Sequence, residues 1–177
     1  MKKLAILIVL ALEIAVCGCG SSKNTSTEVN TQSSGNWEAE LVGGTQQASL
    51  LNFVVTFSVT NSGPLDITGF QFFNQGACFG NDIHSTTQSG TANFSTASNG
   101  TVTGTLNLTI KSSDNANSLA LTGNLTGTSN ASSGTLGTLS NGVVNGTWQL
   151  TGAAGDPSCS GSGTFLMCQG NNKCTAP

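Results

Sequence analysis

Residues 102–110, Val-Thr-Gly-Thr-Leu-Asn-Leu-Thr-Ile, decide the fold of this 177-residue chain. Apolar residues or glycine occupy every second position from Val102 to Ile110, and Thr or Asn occupies the positions between them. A period of two is that of a β-strand with one buried face and one solvated face. The stretch therefore predicts a strand that places Leu106 and Leu108 in a core.

The same alternation recurs along the chain, with short turn-forming sequences between the repeats. It is found at 37–41, 53–59, 119–125, 144–150 and 165–167, and more weakly at 65–73 and 91–96. Turns are predicted at 61–64, 98–100, 112–115, 140–142 and 155–157. Short connections favour antiparallel neighbours. We therefore predict an all-β domain, an antiparallel up-and-down meander of about eight strands that forms a small closed β-barrel, with a β-sandwich as the alternative.

Glycine repeats at a fixed place in four late strands. A glycine followed at two and four positions by large apolar residues occurs in VTGTLNL (102–108), VNGTWQL (144–150) and GSGTFLM (161–167). LTGNLTG (121–127) relaxes to glycine at the last place. An inward glycine suits a sheet that bends sharply or a backbone that approaches closely. The repeat therefore favours a strongly coiled sheet, and hence the barrel.

Alternation alone does not say which face is inside. A barrel embedded in an outer membrane would turn its apolar rows to lipid. The candidate strands are often short, and the sequence lacks aromatic girdles at their ends. We therefore expect the apolar rows in a core and the Thr and Asn rows in water.

The first nineteen residues have the pattern of an export signal. Lys2 and Lys3 precede an apolar stretch, Leu4 to Val16, which is interrupted by Glu13 and is too short to span a bilayer. The sequence Val16-Cys17-Gly18-Cys19 resembles the lipobox of bacterial lipoproteins, with an ordinary signal peptide as the alternative. The resemblance implies a diacylglyceryl group on Cys19 and, because glycine follows it, the outer membrane. Residues 1–18 would be the signal peptide, 19–35 a lipidated N-terminus with a flexible Ser/Thr/Asn-rich linker, and 36–177 a single β-barrel domain.

The domain as a whole resembles the small, lipocalin-like β-barrels of envelope lipoproteins. The likeness covers about Trp37 to Cys168 and depends on strand periodicity. Gly35-Asn36-Trp37 matches the spacing of the Gly-x-Trp motif of lipocalins, but the downstream motifs of that family are missing. The resemblance implies a fold, and it does not fix a function.

Four cysteines remain in the domain: Cys78, Cys159, Cys168 and Cys174. An even number of cysteines in an exported protein predicts two disulfides, for which three pairings are possible. We favour Cys168 with Cys174, which would clip the C-terminal tail, and therefore Cys78 with Cys159. The spacings lack the paired C-x-x-C units of a zinc site.

The remaining residues favour a non-enzymatic role. From Cys19 onward the cationic residues are Lys23, Lys111 and Lys173, and the chain has no arginine, so we expect no nucleic-acid partner. The single histidine, His84, lies near Asp82, with no G-x-S-x-G elbow and no second histidine. We expect no catalytic residue, metal or cofactor.

Two tryptophans, Trp37 and Trp148, fall on apolar rows and are either core residues or ligand contacts at a barrel mouth. We predict a membrane-anchored envelope module that binds a small apolar ligand or a partner protein through the barrel mouth and the loop that begins near Asn74. A structural or adhesive surface module is the alternative, and a hydrolase is a third.

Overall fold

A computed structural model describes residues 31–44, 51–73, 78–79, 86–132, 135–154, 157–170 and 174. Within them the chain forms nine strands and a short 3-10 helix, Pro157–Cys159. The strands are β1 Thr31–Val42, β2 Phe53–Thr60, β3 Gly63–Pro64, β4 Asp66–Phe72, β5 Thr86–Thr96, β6 Thr101–Ser112, β7 Ser118–Ser129, β8 Gly137–Thr151 and β9 Gly161–Gln169. The predicted all-β class is confirmed.

All nine strands belong to one sheet, in the order β3-β5-β6-β7-β8-β9-β1-β2-β4. The ladders between neighbours are antiparallel, and one short parallel ladder joins the start of β1 to the start of β8. β3 and β4 follow each other in the chain yet lie at opposite ends of this order, so the sheet curls round into a barrel. The predicted meander and barrel are confirmed, and the barrel is nearly rather than completely closed.

The barrel has two ends, which we call lower and upper. β1 begins at the lower end with Thr31 and finishes at the upper end with Val42, and each following long strand reverses direction. β1 lies between β2 and the last strand, β9, so the first and last strands of the chain are neighbours. Both the start of β1 and the end of β9 therefore face the lower end.

The interior of the barrel is a packed apolar core. Side chains at alternate positions point inward and are buried, whereas the Thr and Asn positions between them face solvent, as predicted. The largest side chains with almost no exposed surface are Trp37, Trp148, Phe53, Phe57, Leu51, Leu106, Leu108, Ile110, Leu119, Leu121, Leu125 and Leu139. Burial of this kind contributes roughly 1.5 to 3 kcal/mol per large apolar side chain, which makes the core the main source of stability.

The repeated glycines mark places where neighbouring backbones approach closely. Gly146 is paired with Phe165 across the β8–β9 ladder, and Gly163 is paired with Trp148. A Cβ atom built on Gly146 would lie 2.1 Å from the Thr122 carbonyl oxygen. The backbone of β7 thus lies against Gly146, and the Trp148 ring lies against Gly163, so the predicted close approach is confirmed.

β1 begins before the predicted domain boundary at residue 36. Its inward positions Thr31 and Ser33 are buried hydroxyl residues, so the apolar period gives no sign of the strand there. The Thr96 hydroxyl donates to the Thr31 hydroxyl, which also lies 2.8 Å from the Ser129 hydroxyl oxygen. The hydroxyl groups of Thr31, Thr96 and Ser129 thus satisfy one another at the lower end of the barrel. The rest of the predicted linker, the signal segment and Cys19 lie outside the described residues.

The turn predicted at residues 140–142 is wrong, because this sequence lies inside β8. Asn141 has a φ of 52°, and the register between β7 and β8 shifts between Thr126 and Thr128. Asn and Gly tolerate the left-handed conformation of a β-bulge as readily as that of a turn. The Asn-Gly pair therefore marks an irregularity within a long strand.

Gln169 holds the sheet together where β9 ends and β1 meets β8 directly. Its side-chain Nε2 donates to the carbonyl oxygens of Ser34, at 3.2 Å, and Leu139, at 3.0 Å. Its Oε1 accepts a hydrogen bond from the Gly142 amide at 3.1 Å. The Gln169 side chain therefore forms hydrogen bonds with backbone groups of both β1 and β8.

We expect Gln169→Leu to lower the free energy of unfolding by about 2 kcal/mol, because three backbone groups, two of them in partly buried hydrogen bonds, lose their partner. Chemical denaturation followed by tryptophan fluorescence measures the change. Gln149→Leu is the matched control, since Gln149 is an exposed residue of β8. Its effect should stay within about 0.5 kcal/mol. Equal losses in the two variants would show that the hydrogen bonds of Gln169 contribute nothing specific.

Candidate functional site

Two segments cover the upper end of the barrel, and a disulfide bond joins them. Cys78 is bonded to Cys159, at the end of the 3-10 helix, across 81 positions of sequence. Phe79, next to Cys78, is buried and stacks on Phe72 with ring centroids 5.1 Å apart. The Asn117 side chain donates to the Cys78 carbonyl and accepts from the Ala153 amide. The β6–β7 turn, the β8–β9 connection and the segment at Cys78 are therefore fixed to one another over the core.

The second disulfide lies at the lower end. Cys168, on β9, is bonded to Cys174, which is itself buried. This bond ties Cys174 to β9, the last strand in the chain. Both predicted disulfide pairings are confirmed.

Both tryptophans are core residues in this structure. Trp37 is 0% exposed and stacks on Phe57 with ring centroids 5.4 Å apart. Trp148 is 1% exposed, and its indole N–H donates to the Val42 carbonyl oxygen at 3.2 Å. A ligand could reach either ring only by displacing packed side chains, so the structure gives no direct support to the ligand-contact interpretation.

The outward faces of β5 to β9 form a broad surface that is almost free of charge. Lys111 is the only charged residue in these five strands. Cross-strand register aligns hydroxyl and amide side chains into rows, of which one is Thr91, Asn107, Thr122, Thr147 and Thr164, and the next is Asn93, Thr105, Asn124 and Asn145. We call this surface the neutral face. Neighbouring side chains in each row are about 5 Å apart, the spacing of strands in a sheet.

Two adjoining shallow depressions lie on the neutral face and extend to the upper end. Gln149 and Ser162 line both of them. The lower depression is further lined by Ala120, Thr122, Thr147, Gly163, Thr164 and the buried Trp148, and the upper one by Leu150, Thr151, Gly152, Ala153, Pro157, Ser160 and Gly161. Small side chains beside longer ones create this trough. Sequence reasoning missed it, because it depends on which residues the register places side by side.

Titratable chemistry is sparse in the part of the chain that the structure describes. No group of three or more His, Cys, Asp or Glu residues within it could hold a metal ion. The Ser112 hydroxyl, and then the Ala116 amide, donate hydrogen bonds to the Asp114 carboxylate and lower its pKa. This carboxylate organises the β6–β7 turn. His84 and Asp82 lie outside the described residues. Of the loop predicted to begin near Asn74, only Cys78 and Phe79 are described.

In the described residues no helix has the length and apolar character needed to cross a bilayer. Comparison with known proteins finds no family model, no curated protein and no solved structure that matches this chain.

Proposed function

We propose that this chain is a lipid-anchored module of the cell envelope that binds a macromolecular partner through its neutral face and carries out no catalysis. The observation that carries the proposal is the contrast between the two sides of the sheet. The described interior positions are filled mainly by apolar side chains, and the neutral face presents rows of hydroxyl and amide groups.

A packed interior argues against carriage of a small apolar ligand. A barrel of about eight strands has room either for its own side chains or for one small ligand. Here the two indoles and the surrounding Phe and Leu residues occupy the centre. The residues that close the upper end, including Phe79, are themselves part of this core. Of the roles predicted from the sequence, contact with a partner therefore has better support than carriage of a small apolar ligand, although the surface proposed for it is the sheet face and not the barrel mouth.

The neutral face is suited to an uncharged partner surface. Its hydroxyl and amide groups can donate and accept hydrogen bonds directly or through water, without the cost of removing charges from solvent. The trough adds a concave region to an otherwise convex sheet, and concave regions bury more of a partner. A surface adhesion role and a specific receptor role both use these properties.

The proposed anchor places the lower end of the barrel nearest the membrane. Thr31 begins the sheet at that end, and Cys19 precedes it closely in sequence. A segment such as 19–30 spans at most about 40 Å when fully extended. The trough extends toward the opposite end, so it would point away from the bilayer and be open to a partner.

The anchor and the binding face are tested separately. Cys19→Ala should abolish incorporation of labelled palmitate and release the protein from the membrane fraction.

To test the neutral face, a photoreactive amino acid is placed at Thr105, Asn124 or Thr147, and at the exposed Thr60 of β2 as control. Irradiation of intact cells should give one common crosslinked product from the three neutral-face positions and none from Thr60. A stoichiometric lipid or pigment retained in native mass spectrometry, with no such product, would contradict the proposal.

A further inference from the structure

Two polar side chains inside the barrel have no hydrogen-bond partner among the described residues. They are the hydroxyl group of Ser33 and the indole N–H of Trp37, both on β1. Ser33 is 1% exposed and Trp37 is 0% exposed, so bulk solvent does not reach them. Buried polar groups are nearly always bonded to the protein or to an ordered water molecule. These two groups therefore point to a bound partner.

The neighbouring polar groups of the core show that this exception is local. At the lower end, the Thr96 hydroxyl donates to Thr31, which also lies within hydrogen-bond distance of Ser129. The other core tryptophan, Trp148, donates its indole N–H to the Val42 carbonyl oxygen. A buried indole and buried hydroxyl groups thus find partners elsewhere in the same barrel.

Ser33 and Trp37 border the place where β1 changes its neighbour. From Trp37 upward β1 pairs with β9, and at Thr31 and Gln32 it pairs with β8. We call residues 33–36, between these two ladders, the joint. Within the sheet, the Gln169 side chain donates to the Ser34 carbonyl oxygen of the joint. Ser33 is the first residue of the joint, Trp37 directly follows it, and both side chains are buried.

The Trp37 ring lies across the inner side of the joint. It stacks on Phe57, whose cross-strand partner is Gly35 in the joint. Because Phe57 is nearer than Trp37 to the lower end, the ring leans toward Ser33. A Cβ atom built on Gly142 of β8 would collide with Cη2 at the far edge of the ring. The indole therefore also reaches from β1 toward β8.

We propose that a buried water molecule binds between Ser33 and Trp37 on the inner side of the joint. The water would accept the indole N–H of Trp37 and donate to the Ser33 hydroxyl oxygen. The two side chains do not bond to each other directly. An indole N–H can only donate, whereas a hydroxyl group donates and accepts, so one water molecule suits both. Binding otherwise unsatisfied polar groups is the usual role of buried water in proteins.

The chain after β9 is a less suitable partner for these groups. Met167 is an inward, buried residue of β9, so Cys168, the next residue, faces outward. The disulfide therefore holds Cys174 on the outward side of the sheet, opposite to Ser33 and Trp37. The proposed water site is also separate from the neutral face and does not depend on the function of that face.

NMR spectroscopy of the isotopically labelled full-length protein tests the proposal. The chain has two tryptophans, so its spectrum contains two indole N–H signals, which Trp148→Phe assigns. In a rotating-frame experiment, the Trp37 indole proton should give a cross-peak with water that has the sign of dipolar transfer and not of exchange. The Trp148 indole is the internal control, and its cross-peak should be at least about fivefold weaker because a carbonyl oxygen is its partner. A Trp37 cross-peak that is missing, or no stronger than that of Trp148, would overturn the proposal.

A serine variant tests whether Ser33 helps to hold the water. Ser33→Ala should lower the intensity of the Trp37–water cross-peak by about half or more, because the water loses a hydrogen bond and stays for a shorter time. Ser34→Ala is the matched control, since Ser34 is the next residue of β1 and is exposed. This control should leave the cross-peak unchanged, and the backbone amide spectrum verifies the fold of both variants. An undiminished cross-peak in Ser33→Ala, or an equal loss in both variants, would contradict a water bound between Ser33 and Trp37.

Discussion

Gly146→Val is expected to lower the free energy of unfolding by about 3 kcal/mol or more, the largest effect of any single substitution that we consider. A Cβ atom at this position would lie 2.1 Å from the Thr122 carbonyl oxygen and 2.4 Å from the Gly123 Cα. Both atoms belong to the backbone of β7, so no side-chain rotation can make room. The strands would have to separate, which would break the β7–β8 ladder at its centre.

Urea denaturation of the variant and the unchanged protein measures this loss. Thr147→Val is the matched control, because Thr147 is the next residue of β8, faces solvent and keeps its size on substitution. Its effect should be within about 0.5 kcal/mol. A Gly146→Val protein as stable as the control would mean that β7 and β8 do not approach each other as closely as the structure has them.

Removing the Cys78–Cys159 disulfide should be the most damaging double substitution. With both cysteines changed to alanine, no free thiol remains, and the unfolded chain regains the freedom of a loop closed across 81 positions. The chain-entropy relation gives a loss of about 4 kcal/mol for a loop of this length. The change is measured as the difference in urea midpoint, multiplied by the slope of the transition.

The double variant Cys168→Ala with Cys174→Ala provides the comparison. This disulfide closes a loop of only 6 positions, for which the same relation gives about 2 kcal/mol. The long-loop disulfide should therefore contribute about twice as much as the short one. The reverse order would show that contacts at the upper end, such as those of Asn117, hold Cys78 in place without the covalent bond.

The strands were predictable from sequence because their inner and outer residues differ in polarity. Alternation identified all the long strands, including Val102–Ile110 at the centre of β6. It failed at the start of β1, because the inward residues Thr31 and Ser33 carry hydroxyl groups where the pattern expects apolar side chains. It also failed at Asn141, because the left-handed conformation of Asn-Gly serves a bulge as well as a turn.

The candidate surfaces were not predictable in the same way. The Thr and Asn positions of the neutral face are visible in the sequence, but their alignment into rows depends on register between strands, which local sequence does not specify. The trough depends on the same register, since Ala120 of β7 and Ser162 of β9 lie beside Gln149 of β8 only when these three strands pair in this register.

The position of β1 has a consequence for how the molecule is made. Since β1 bonds to β9, its ladder cannot be completed until β9 has been synthesised and has left the ribosome. Pairings between distant parts of a sequence form slowly, because a long loop must close before they contribute. The barrel of a nascent chain would thus stay incomplete until β9 is available. A polypeptide that must pass through a narrow secretion pore before it folds would benefit from that delay.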